Sequence, residues 1–126
     1  GIAHRIEFKI NLPFTEVQAQ IRQHDICVLT ARNELCGISL LEAMSHSLPV
    51  ICSDSAGAQS YVTPGENGFV FRTDNEMDLG VSLERILEDR EKLIKMGARS
   101  HAIVVNNHSP ETYVNALLSI VEGYQT

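Results

Sequence analysis

Two short, continuous apolar runs, Ile26-Cys27-Val28-Leu29 and Leu48-Pro49-Val50-Ile51-Cys52, constrain the fold more than any other feature of the chain. Unalternating runs of this length suit strands covered on both faces, as in a parallel sheet with helices on either side. Between them, residues 40–46 read as a short helix. A strand, a helix and a second strand in that order imply a right-handed crossover, which leaves the two strands parallel.

The flanking sequence extends the pattern. Upstream, Ile6-Glu7-Phe8-Lys9-Ile10 alternates strictly and predicts a strand with one exposed face, at an edge. After Pro13, Thr15 and Gln18 stand at capping-box spacing, and Phe14, Val17 and Ile21 share a helical face, so a helix is expected to end near His24. Downstream, residues 53–57 and 63–68 are turn-rich, and Phe69-Val70-Phe71 reads as a closing strand. From Glu76 the period becomes helical. Leu79, Leu83, Ile86 and Leu87 mark one helix, and Leu93, Ile94 and Met96 a second. Ser109 as N-cap with Pro110 at the first helical position starts a third, carrying Tyr113, Leu117, Ile120 and Val121. No repeat or linker divides the 126 residues, and 44% hydrophobic content suffices for one core, so residues 1–126 read as a single domain.

Charge narrows the partners. A net charge of −6 with ten scattered basic residues argues against nucleic acid or an anionic membrane surface. The three cysteines form no C-x-x-C pair, and Cys27 and Cys52 lie inside the apolar runs, which points to a reducing, cytoplasmic setting. No apolar run approaches the ~18 residues of a membrane span, and no signal segment opens the chain. The five histidines show no ligand spacing, and no metal motif is present.

In a parallel wound sheet, ligands bind beyond the carboxyl ends of the strands. The loops 30–37 and 53–57 are expected there. Gly37 permits close backbone approach, and the following Ile38, Ser39 and Leu40 would point their N–H groups out of a helix N-terminus, a place suited to a diphosphate. Two carboxylates, Glu34 and Glu42, stand on either side. Ser39 and Glu42 also fit a capping box, in which Glu42 would only satisfy backbone amides. Glu34 alone in a loop reads as a solvated residue, and Gly57 as a turn glycine or part of a ligand wall.

The segments E34-L-C-G-I-S-L-L-E42-A-M, L-P-V-I-C-S-D and G-E-N-G-F-V-F, in that order, resemble the second domain of the retaining family four glycosyltransferases of the glycosyltransferase B fold. The resemblance covers roughly residues 6–122. It implies an α/β fold, a partial Rossmann-like parallel sheet flanked by helices with a helical C-terminal segment. It also implies that Glu34 faces the donor sugar near its reacting centre, that Cys36, Gly37, Ile38, Ser39 and Leu40 line the donor site, and that Glu42 takes the ribose hydroxyls. The donor would be a UDP-, GDP- or ADP-linked sugar, with no cofactor or metal, and the transferred hexosyl group would go to a glycan, lipid or small-molecule acceptor.

Departures from that pattern are also legible. Leu35 and Cys36 stand where the family usually has a small residue and then an aromatic. The acceptor-binding domain and the opening strands of this domain are missing, with the Arg and Lys that clamp the diphosphate; any contact of the parent with the inner face of a membrane would run through that missing domain. The chain is therefore expected to be a fragment that transfers no sugar at a useful rate alone. The strand at residues 6–10, deprived of its neighbours, should re-pair beside the remaining strands or complete a sheet in a second copy, as a strand-swapped homodimer. A non-catalytic nucleotide-diphosphate-binding or interaction module on the same fold is the alternative function.

Overall fold

The computed structural model describes residues 1–124. Three strands, β1 (Cys27–Leu29), β2 (Val50–Ser53) and β3 (Gly68–Phe71), form one parallel sheet in the order β1-β2-β3. Val28 lies beside Ile51, and Cys52 beside Val70. Five α-helices accompany them: α1 (Phe14–Ile21), α2 (Ile38–Ser45), α3 (Glu76–Leu87), α4 (Arg90–Asn107) and α5 (Pro110–Gly123). Short 3-10 helices cover Ala3–Arg5 and Gly57–Tyr61. This is the wound α/β arrangement expected from the two apolar runs.

The central strand shows why its sequence does not alternate. Val50 and Cys52 enter one cluster with Leu40, Met44, Ala56, Ala58 and Val62. Ile51, pointing the other way, packs with Phe71, Ile86 and Met96. All four β2 residues are buried, as a strand between two covered faces requires. Helix α4 serves both layers, with Met96 in the second cluster and Ile103 and Val104 against the first.

Local signals explain the helices after the sheet. Asn75 Oδ1 accepts the Asp78 N–H at 3.0 Å and caps α3, Asp89 caps α4, and Ser109 Oγ accepts the Thr112 N–H at 3.2 Å behind Pro110 to start α5. Each is a short polar side chain meeting an orphan first-turn donor. The Lys95–Glu91 pair, one turn apart, closes at 2.7 Å on the exposed face of α4.

Three expectations are corrected. Residues 6–10 form no strand; Ile6, Phe8 and Ile10 are 52%, 84% and 77% exposed. Alternation is only permission to be a strand; the segment pairs with neither edge of the sheet, β1 or β3, so re-pairing within the chain does not occur. Helix α1 starts at Phe14 behind Pro13 with no side-chain cap, so the Thr15–Gln18 box is not formed, and it ends at Ile21 rather than His24. Finally, β1 is not covered on both faces: it is the sheet edge, and Val28 is 39% exposed.

Candidate functional site

The carboxyl ends of the three strands bring the loops 30–37, 54–57 and 72–75 to one side of the sheet. These loops are pinned to one another. Ser53 Oγ and Ser55 Oγ both donate to the Ala31 carbonyl, the latter at 3.2 Å. Asp54 N–H donates to the Phe71 carbonyl at 2.9 Å, and the Asp54 carboxylate accepts the Thr73 N–H at 2.9 Å and the Thr73 hydroxyl at 2.6 Å. The hydroxyl, with the backbone donor behind it, holds the Asp54 carboxyl below its ordinary value although the group is exposed. Arg32, in the first loop, donates to Asp74 in the third at 2.9 Å. Arg72, in the third loop, pairs with Asp78 at 3.6 Å, so both arginines of these loops are engaged in surface pairs.

Glycine 37 opens α2 in the left-handed region, φ 57° and ψ 44°. A Cβ there would stand 2.3 Å from Ala58 Cβ, so both the dihedral and the packing demand glycine. Gly37, not Ser39, is therefore the N-cap residue, and the Ser39–Glu42 capping box does not form. The amides at this helix start divide into two groups. Cys36 N–H and Gly37 N–H donate to Glu34 Oε1 at 3.4 and 3.2 Å, and Leu40 N–H donates to the Gly37 carbonyl at 2.9 Å. Ile38 N–H and Ser39 N–H meet no acceptor among the described residues. Leu40, expected to present a free amide, is fully buried in the core beneath.

Helix α2 buries Leu40, Ala43 and Met44. Glu42 projects from the opposite face, half-buried, and its carboxylate accepts no hydrogen bond among the described residues. Glu34 is half-buried, and Leu35 and Cys36 beside it are exposed. The site residues singled out from sequence, Glu34, Cys36, Gly37, Ile38, Ser39, Leu40 and Glu42, thus share one loop and one helix; Leu40 alone is turned into the core.

Sequence reasoning undervalued Gly57. Its N–H donates to the Glu34 carbonyl at 2.6 Å, and a Cβ would stand 2.1 Å from the Leu35 carbonyl oxygen. No local pattern could have found it, because the contact spans two loops. Asn67 was also missed: fully buried, its Oδ1 accepts the Thr63 N–H at 2.7 Å and its Nδ2 donates to the Tyr61 carbonyl at 3.1 Å, tying the turn before β3.

Histidines hold structure. His24 meets the Gln20 carbonyl, His46 the Gln18 side chain and His101 the Ser45 carbonyl, while His108 stands edge-on to Tyr61. Among the described residues no group of His, Cys, Asp and Glu is placed to hold a metal, and no helix is long and apolar enough to cross a membrane. The cysteines are free; burial raises the Cys27 thiol and pushes that of Cys52 to about 11.

The family described as "Glycosyl transferases group 1" matches residues 1–103. A D-inositol 3-phosphate glycosyltransferase of Nocardia farcinica is 28% identical over 102 residues, 81% of this chain and 23% of that protein. Sucrose-phosphate synthase from Thermosynechococcus elongatus superposes with a TM-score of 0.86 at 22% identity, over 98% of this chain and 31% of that one. The C-terminal domain of a group 1 glycosyl transferase, LpcC, from Francisella tularensis gives 0.73 at 21% identity, over 83% of this chain and 53% of that one. Anabaena HepE in complex with UDP-glucose gives 0.74 at 22% identity, over 86% of this chain and 30% of that one. The chain spans about a quarter of the length of the curated relatives it matches.

Proposed function

The chain belongs to the group 1 glycosyl transferases, as part of their C-terminal, donor-binding domain, and on that premise we propose that it holds the nucleotide-diphosphate sugar of a retaining hexosyl transfer. The observation that carries this reading is the start of α2: two unengaged amides, Ile38 and Ser39, at a glycine-opened helix N-terminus, with Glu34 before them and the unpartnered Glu42 one turn beyond. HepE, similar in fold, is described in complex with UDP-glucose, which supports the choice of ligand class.

The chemistry is divided along the segment. A diphosphate accepts from the Ile38 and Ser39 amides, framed by Cys36 and Gly37, and its growing charge as the sugar bond breaks is favoured by the positive end of the helix. The ribose diol donates to Glu42, whose paired oxygens accept both hydroxyls. Glu34 stands by the sugar, where positive charge develops at the anomeric carbon and a fixed carboxylate lowers the barrier. The scheme assigns no metal a role. Acceptor binding, and the cations that complete the diphosphate site, belong to the remainder of a parent enzyme, so the isolated chain binds donor weakly and transfers nothing at a useful rate. Three free thiols fit a cytoplasmic location.

Calorimetric titration of UDP, GDP and ADP into the chain and into Glu42→Ala tests the reading. Loss of a charge-assisted pair of hydrogen bonds should weaken the preferred nucleotide by about tenfold or more. Equal affinity in the two proteins would remove Glu42 from the site.

A further inference from the structure

We propose that Gly57 is a positioning residue for Glu34, and that the loop after β2 sets where the Glu34 carboxylate lies. The inference rests on the reading that Glu34 faces the donor. Its physical basis is a clasp between two loops that are distant in sequence.

The Gly57 N–H donates to the Glu34 carbonyl at 2.6 Å. A Cβ on Gly57 would stand 2.1 Å from the Leu35 oxygen, 2.9 Å from the Leu35 carbonyl carbon and 3.2 Å from the Glu34 oxygen. These neighbours are backbone atoms that cannot swing aside. Positive φ occurs at Gly37 and Gly65 but not at Gly57, so close approach and not dihedral freedom requires the glycine here. The next residue, Ala58, touches the other end of the same turn, against Gly37. The dipeptide Gly57-Ala58 therefore braces both ends of the 34–37 turn, whose interior is filled by the Glu34 carboxylate accepting from Cys36 and Gly37.

The brace is itself anchored. Ser53 and Ser55 donate to Ala31, Asp54 accepts from Thr73, and Gln59 Nε2 donates to the Asp54 carbonyl at 2.7 Å. Held in this way, Glu34 uses Oε1 inside the turn, and Oε2 meets no donor among the described residues. That oxygen is the one left for the sugar. An added methyl at position 57 displaces the 34–35 peptide and takes the carboxylate with it.

The test is spectroscopic and needs no activity. In the unmodified chain the amide resonances of Cys36 and Gly37 should follow the ionisation of Glu34 with pH, and Glu34→Gln should abolish that response. Gly57→Ala should abolish it too, while Gly65→Ala, strained at φ 83° but with no atom near its Cβ, should leave it intact. A Gly57→Ala protein that keeps the full response overturns the proposal. Should that variant fail to fold, a through-hydrogen-bond coupling between the Gly57 nitrogen and the Glu34 carbonyl carbon in the unmodified chain decides the matter: its presence supports the clasp and its absence refutes it. The UDP titration into Glu42→Ala is independent, so the nucleotide reading can fail with the clasp standing, and the clasp with the nucleotide reading standing.

Discussion

Glu34 Oε1 accepts the Gly37 N–H at 3.2 Å, so the carboxylate assigned to the sugar also secures the start of the helix assigned to the diphosphate. The two roles can be separated by substitution. Glu34→Ala should lower stability by about 1 kcal/mol, the ordinary net worth of a side-chain hydrogen bond to backbone amides, as read by urea denaturation. In a full-length parent enzyme, Glu34→Gln should leave donor KM within a few-fold and lower kcat far more, the pattern of an interaction made in the transition state.

A second expectation concerns the packing of Gly37 on Ala58. Gly37→Ala should destabilise by about 1–2 kcal/mol for the left-handed backbone and by roughly 1–3 kcal/mol more for overpacking. Gly37→Ala with Ala58→Gly relieves only the second part. A double-mutant cycle by denaturation should therefore show favourable coupling, and simple additivity would show that the contact is not tight.

The Asp54–Thr73 contact predicts a pH effect. Its folded carboxyl lies below the ordinary 3.8, so the contribution is complete above that value and is lost as pH falls through the depressed folded value. Thr73→Val removes the hydroxyl, the larger cause, and should lower stability above about pH 4 and flatten the acid limb below it, so that the two proteins converge in acid. An unchanged acid limb would show that Thr73 does not act on this group.

Thiol labelling offers a simple probe of the site. Cys36 is exposed, Cys27 half-buried and Cys52 buried. One thiol should react quickly at pH 8, and Cys52 only on unfolding. Saturating UDP should slow the fast thiol; undiminished labelling would place the nucleotide elsewhere.

The parts of the fold legible in sequence were those with local causes. The β1 and β2 runs, the Ser109 cap and the apolar faces of α3 and α4 depend on neighbours within one turn or one strand. Residues 6–10 misled because a strand is a relation to a partner, and alternation carries no information on whether one is present. The candidate site was legible as a segment, 34–42, but its capping residue was not: Ser39 matched the pattern, while Gly37 held the position because Ala58, twenty-one residues on, leaves no room for a side chain. Gly57 and Asn67 were hidden for the same reason, since each acts through space on another loop's backbone.

Helix α4 carries Met96 under one face of the sheet and Ile103 and Val104 against the other. A rod shared in this way leaves neither layer able to melt alone. Slow-exchanging amides in α2 and β2 should therefore open together with those of α3 in a single cooperative unit, so that the helix start proposed to hold the diphosphate inherits the protection of the whole sheet and not merely of its own two turns.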